Sequence, residues 1–182
     1  MEGRKRKTIA VFGSSEPDEN DPLYKTAFEL GNLLAVKGFN VCTGGYGGVM
    51  EAASRGAREG GSDAIGVTVD IFEWRNPNKY ISIHYNEKDL YQRTKKLIDV
   101  SDGFIILHGK SGTLSELTFL WALHRAGSLG QKPIILLGEA WNSLMKVLSE
   151  NDLIEKHELA ATGIAKNPRE AVAEIEKSLY NI

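Results

Sequence analysis

The sequence predicts a single doubly wound α/β domain with a mainly parallel sheet and helices on both faces. Short apolar runs alternate with longer amphipathic ones, which is the pattern of successive βαβ units. The 182 residues suit one domain, and no repeat, low-complexity tract or linker divides them, so we assign 1–182 to one unit. Hydrophobic residues make up 42% of the chain, which is enough for one packed core and too many for a disordered protein.

Seven short apolar runs predict the strands, because turn-forming glycine, proline or polar residues follow them. In chain order they are Lys7–Phe12, Phe39–Thr43, Asp63–Val69, Tyr80–His84, Gly103–Leu107, Lys132–Leu137 and Leu159–Ala165. Gly103–Leu107 is almost uninterrupted in its apolar character, as expected of a strand buried on both faces. Leu159–Ala165 is the weakest of the seven.

The amphipathic stretches between the strands predict the helices. The first opens at Asp21-Pro22 and ends at Gly38, since proline suits the first helical turn and glycine the residue after the last. The others run from about Val49 to Glu59, from Asp89 to Val100, from the Gly109–Thr113 loop to about His124, from near Trp141, and from Asn167-Pro168. Asp70–Lys79 is predicted to be irregular, with a turn at Asn76-Pro77-Asn78.

Charge and composition exclude several classes of protein. Lys and Arg number 22 against 24 Asp and Glu, a net charge of −2, which gives no basic surface for nucleic acid. The basic stretch 4–7 is expected to be a solvated flank before the first strand. Neither a membrane span of ~20 apolar residues nor the apolar core of a secretion signal is found. We expect a cytoplasmic protein that binds neither nucleic acid nor a membrane.

Several motifs of cofactor and metal sites fail in detail. Gly45–Met50 lacks the third small residue of a dinucleotide fingerprint, and Phe104 stands where a P-loop needs glycine. The four histidines have no common metal-ligand spacing, and the single cysteine, Cys42, excludes a disulfide and is expected in the core. We therefore predict no metal and no cofactor.

Three predicted strands end in small, polar or glycine-rich loops, namely Gly13–Ser15, Gly44–Gly48 and Gly109–Thr113. In a doubly wound sheet such loops meet at one edge, where helix N-termini attract anions. Each loop alone is equally well explained as a tight turn, but the three together favour a phosphate site. The candidate phosphate- or nucleotide-binding residues are Gly13, Ser14, Ser15, Gly44, Gly45, Gly47, Gly48, Met50, Gly109, Lys110, Ser111, Gly112 and Thr113. For Met50, packing is the stronger alternative.

Two of these loops, extended into the helices that follow, resemble the LOG (Lonely Guy) family, often labelled lysine decarboxylase-like. Residues 44–52 form a glycine-rich turn that runs into Gly-Val-Met, and residues 109–116 resemble Pro-Gly-Gly-x-Gly-Thr-x-x-Glu. The likeness extends over most of the chain, including the stretch 91–96. It implies a Rossmann-like, usually dimeric protein that hydrolyses the N-glycosidic bond of nucleoside 5′-monophosphates to free base and ribose 5-phosphate. It also implies Arg93 and Glu116 as the catalytic pair.

Both residues of that pair also have a purely structural explanation. Thr113 and Glu116 fit a capping box, in which Glu116, in the first turn of its helix, bonds back to the capping residue. Arg93 shares an amphipathic helix with Lys95 and Lys96, where a solvated charged face is the default. The family resemblance favours the catalytic interpretation of both.

Departures from the family pattern keep a second function open. Lys110 occupies a glycine position, and Tyr46 interrupts the first glycine run. A related branch binds molybdenum cofactor, so the alternative is a non-catalytic nucleotide or molybdenum-cofactor carrier. Literal lysine decarboxylation is disfavoured, because no lysine is placed to hold pyridoxal phosphate. For the homodimer that the resemblance implies, Leu120 and Trp121 are candidate interface residues; the alternative is that both are core.

Overall fold

The computed structural model describes residues 6–72 and 74–180. Within them, seven parallel strands form one sheet in the order β4-β3-β2-β1-β5-β6-β7. The strands are β1 (Thr8–Phe12), β2 (Asn40–Thr43), β3 (Ala64–Val69), β4 (Ile83–Glu87), β5 (Gly103–Ile106), β6 (Ile134–Leu137) and β7 (Thr162–Ala165). The predicted fold class is confirmed.

Helices cover both faces of the sheet. They are α1 (Pro22–Val36), α2 (Val49–Glu59), α3 (Leu90–Asp99), α4 (Ser111–Arg125), α5 (Ala140–Glu150), α6 (Lys156–Ala160) and α7 (Pro168–Tyr180). Alternate side chains of each central strand pack into two separate hydrophobic cores, since successive side chains point to opposite faces of the sheet. In β1, Ile9 and Val11 face the core under α1, α2 and α7, whereas Ala10 and Phe12 face the core under α3, α4 and α5.

Two predicted strands are misplaced. Tyr80 belongs to a turn in which its N–H donates to the Asn78 side chain, and β4 pairs with β3 only from Ile83 onward. The predicted strand Leu159–Ala165 begins too early, because α6 occupies its first residues. A capping box holds α6, with the Glu158 carboxylate accepting the Glu155 N–H at 2.8 Å.

Leu120 and Trp121 are buried, so the prediction that they are exposed interface residues is wrong and the core alternative is right. The indole N–H of Trp121 donates to the Thr162 hydroxyl at 3.0 Å. The exposed apolar residues of α4 are instead Leu114 and Phe119.

Cys42 lies fully buried in β2, as predicted, and burial raises the pKa of its thiol to about 12. Of the basic stretch 4–7, Arg4 and Lys5 fall outside the described residues, and Arg6 donates to the Gly61 carbonyl. Across the part of the chain that is described, every helix is too short or too polar to cross a bilayer.

Candidate functional site

A cavity of about 220 Å³ opens at the carboxyl edge of the sheet, around β1 and β5, where the strand order reverses. This topological switch point is the usual ligand position in doubly wound sheets. Of the residues predicted from the sequence, those that line it are Gly13, Ser14, Ser15, Gly44, Met50, Arg93, Lys110, Gly112, Thr113 and Glu116. The three predicted loops therefore converge on one cavity.

The other predicted loop residues (Gly45, Gly47, Gly48, Gly109 and Ser111) are not among its lining residues. Two of these glycines instead allow the loops to touch. A Cβ on Gly48, which has φ +68°, would collide with the Ser14 main chain, and one on Gly109 would crowd Ser14 N at 3.1 Å and collide with Thr113 of its own loop. Main-chain bonds then link the loops, since Ser14 N–H donates to His108 O at 3.1 Å and Val49 N–H to Ser14 O at 2.9 Å.

The N-terminus of α4 carries the clearest anion-binding geometry. In the described structure no side chain caps this helix, whose first residues are Ser111, Gly112 and Thr113, so its first N–H groups and positive end face the cavity. Open space beside Gly112 leaves room for a ligand. At the α2 N-terminus, by contrast, Ser14 O occupies the Val49 N–H and Glu51 adds a negative charge.

The capping-box explanation of Glu116 is wrong. The helix begins at Ser111 with Lys110 as its N-cap, so Thr113 lies inside the first turn and Glu116 lies one turn further along. Its side chain, which is half-buried, lines the cavity. Burial raises the pKa of the Glu116 carboxyl to about 7, and the positive charge of Arg93 partly opposes that rise. A carboxyl that titrates near neutrality in a cleft is typical of a functional group.

Arg93 is buried, so the solvated-face explanation is wrong for this residue. Its Nε donates to Val67 O at 2.8 Å and its Nη2 to Gly44 O at 3.1 Å. These bonds fix the guanidinium between the end of β3 and the loop after β2, and any Cβ on Gly44 would displace it. The sequence spacing could have indicated this burial, because Arg93 lies one turn before buried Leu97 on α3, whereas Lys95 is exposed.

Sequence reasoning missed one wall of the cavity, formed by Tyr46, Phe72 and Arg75. In the sequence Tyr46 only interrupts a glycine run, and the irregular segment after β3 has no periodicity that marks a site. The mouth of the cavity also carries an unpredicted ion pair. Lys110 Nζ lies 2.7 Å from Glu16 Oε1, and both side chains are exposed.

Comparisons with known proteins identify a family and several relatives. A model of the SLOG cluster4 family matches residues 6–172. The cytokinin riboside 5′-monophosphate phosphoribohydrolase of Mycobacterium tuberculosis is 31% identical over 134 residues, which are 71% of this chain and 70% of that protein. The pyrimidine/purine nucleotide 5′-monophosphate nucleosidase of Escherichia coli K12 is 30% identical over 146 residues, 75% of this chain but only 32% of that longer protein.

A solved structure matches almost the whole chain. The molybdenum cofactor binding protein of Rippkaea orientalis superposes with a TM-score of 0.77 at 26% identity, covering 96% of this chain and 98% of that one. The LOG resemblance predicted from the two glycine motifs is confirmed by the family match. Two of this chain's sequence relatives are named as a nucleosidase and a phosphoribohydrolase, and the family match shows that the chain itself belongs to the SLOG cluster4 family, which is LOG-type.

Proposed function

We propose that the protein hydrolyses the N-glycosidic bond of a nucleoside 5′-monophosphate, releasing free base and ribose 5-phosphate. The observation that carries this proposal is the Glu116 carboxyl, half-buried beside Arg93 and one helical turn beyond an uncapped helix N-terminus. A phosphate on the α4 N-terminus brings the attached sugar to this carboxyl. The family resemblance points first to AMP or a cytokinin nucleotide as substrate.

The chemistry needs a negative charge at the sugar. As the bond from C1′ to the base nitrogen breaks, its electron pair leaves with the base and the sugar becomes an oxocarbenium-like cation. The Glu116 carboxylate stabilises that cation and accepts a proton from the attacking water, whose oxygen becomes the new C1′ hydroxyl. The departing base nitrogen takes up a proton from solvent, and Glu116 releases its proton to solvent, so the free base forms and the carboxylate is restored. Arg93 has a positioning role in this reaction, because it donates a hydrogen bond to the Gly44 loop and its positive charge favours the ionised form of Glu116.

If α4 binds the phosphate, nucleotides stabilise the protein and nucleosides do not. At a ligand concentration of ~100 Kd, AMP or GMP is expected to add about 2.7 kcal/mol to the free energy of unfolding, with much smaller effects from adenosine or guanosine. Thermal unfolding with each matched pair measures this, and chromatography of the same mixtures detects free base. Equal shifts from nucleotide and nucleoside would remove the phosphate site.

The second candidate function is a non-catalytic carrier. The Rippkaea molybdenum cofactor binding protein covers nearly the full chain and supports it. Lys110 also supports the carrier function, because its side chain lies at the cavity mouth in a position where LOG sequences carry glycine. Tight nucleotide binding without release of base from any common nucleoside monophosphate would favour this candidate.

We also propose a homodimer, which the resemblance implies. Exposed apolar side chains of α3 and α4 (Leu90, Tyr91 and Phe119) line a shallow groove suited to a second copy. Light scattering at micromolar concentration is expected to give the mass of two chains for the wild type and for Val36→Glu, an exposed control on α1. For Phe119→Glu we expect one chain, since a buried unpaired charge opposes association. A monomeric wild type would refute the proposal.

A further inference from the structure

We propose that Tyr46, Phe72 and Arg75 form the nucleobase subsite, and that Arg75 selects a 6-oxopurine nucleotide over an adenine nucleotide. These three residues are called the base wall below. The inference rests on the proposed function, and it identifies the class of substrate more narrowly.

The order of the strands places the base wall opposite the phosphate end. Phe72 and Arg75 follow β3, whereas the α4 N-terminus follows β5, and β2 and β1 lie between. Three spacings of ~4.8 Å separate these strands by roughly 14 Å, which suits an extended nucleoside monophosphate. With the phosphate on α4 and the sugar at Glu116, the base therefore reaches the β3 end.

The two aromatic residues of the base wall, Tyr46 and Phe72, are held by hydrogen bonds and ring contacts, whereas the Arg75 side chain is exposed. The Tyr46 hydroxyl accepts the Val69 N–H at 3.1 Å and lies 3.2 Å from Val69 O, to which it donates. Phe72 meets the Tyr46 ring edge-on at 5.9 Å, and Asn78 fastens the segment by donating its side-chain amide to Tyr46 O at 3.0 Å. Preorganised aromatic rings of this kind suit a planar base.

Hydrogen-bond donors dominate this end of the cavity. The Arg75 guanidinium lies 6.0 Å from the Tyr46 ring centre and 5.8 Å from that of Phe72, and makes a long 3.5 Å contact with the Ser15 hydroxyl. Arginine donates only. Three main-chain acceptors at this end already accept hydrogen bonds: Gly44 O from Arg93, Tyr46 O from Asn78 and Val69 O from the Tyr46 hydroxyl.

The donor fork of Arg75 distinguishes purines by the groups at their O6/N7 edge. Guanine and hypoxanthine present O6 and N7, two adjacent acceptors that match the fork of arginine, whereas adenine presents an amino donor in place of O6. A good bidentate contact of this kind discriminates between bases by about ten-fold or more. GMP and IMP are therefore the expected substrates in preference to AMP.

The test compares GMP, IMP and AMP on the wild type, Arg75→Ala and Lys79→Ala. Lys79 is a matched control, because it belongs to the same segment but lies over Tyr80, and neither lines the cavity. We expect the wild type and Lys79→Ala to favour GMP and IMP by about ten-fold or more in kcat/KM. In Arg75→Ala the preference should fall to within about two-fold. Affinity for ribose 5-phosphate, which has no base, should be unchanged in all three.

Three results would overturn the inference: no preference or a preference for AMP in the wild type, an undiminished preference in Arg75→Ala, or a parallel loss of ribose 5-phosphate binding.

Failure of this inference is distinct from failure of the proposed hydrolysis. If no nucleotide releases its base, dissociation constants of GMP and AMP replace kcat/KM. A GMP preference that depends on Arg75 then supports the base wall while the hydrolase proposal fails. Absence of nucleotide binding would overturn both.

Discussion

Glu116→Gln is expected to lower turnover of the best nucleoside monophosphate by ~10²–10³, equivalent to ~2.7–4 kcal/mol of barrier. Glutamine keeps the shape of the side chain but removes the charge that stabilises the sugar cation and the base that accepts the water proton. Because Glu116 does not cap α4, nucleotide binding should change far less than turnover. Steady-state kinetics together with dissociation constants separate the two effects.

Glu174→Gln is the matched control, since Glu174 is exposed on α7 and does not line the cavity. It removes the same charge and is expected to leave turnover unchanged. A Glu116→Gln variant that binds substrate and retains wild-type turnover would exclude Glu116 from the chemistry. A loss confined to binding would instead make Glu116 a ligand contact.

The fold was largely predictable because its strong signals are local. Buried strands such as β5 are continuous apolar runs, and the Pro22 and Gly38 signals bracket α1 to within two residues. The misplacement of β7 has a tertiary cause. Residues 156–160 form a helix because Glu158 satisfies the Glu155 N–H, whereas the apolar pattern alone predicts a strand from Leu159 onward.

The site was predictable where it depends on glycine and the strand ends, and not where it depends on long-range packing. The converging loops follow from the topology of a parallel sheet. Burial of Arg93 depends on the carbonyls of Val67 and Gly44, distant in sequence, so a charged helix face was the natural expectation. The base wall escaped prediction because Phe72 and Arg75 lie in a segment whose position depends on Tyr46 and Asn78.

The raised pKa of the Glu116 carboxyl should also change how the free energy of unfolding depends on pH. The folded-state pKa of Glu116, about 7, lies above the ordinary value of 4.5 that applies to the unfolded chain. Between these values the native state binds more protons than the unfolded state, so the free energy of unfolding falls as pH rises. The contribution of Glu116 is fully present below about pH 4.5 and is lost as pH passes through about 7.

Glu116→Gln is therefore expected to gain stability relative to the wild type as pH rises from about 5 to about 8.5, by about 2–3 kcal/mol. Urea unfolding of both proteins across this range measures the difference, with Glu174→Gln expected to follow the wild type. Wild-type turnover should rise over the same interval, because the ionised carboxylate does the chemistry while its burial costs stability. Parallel stability curves for the wild type and Glu116→Gln would mean that the carboxyl titrates normally, and the burial argument for its catalytic role would then fail.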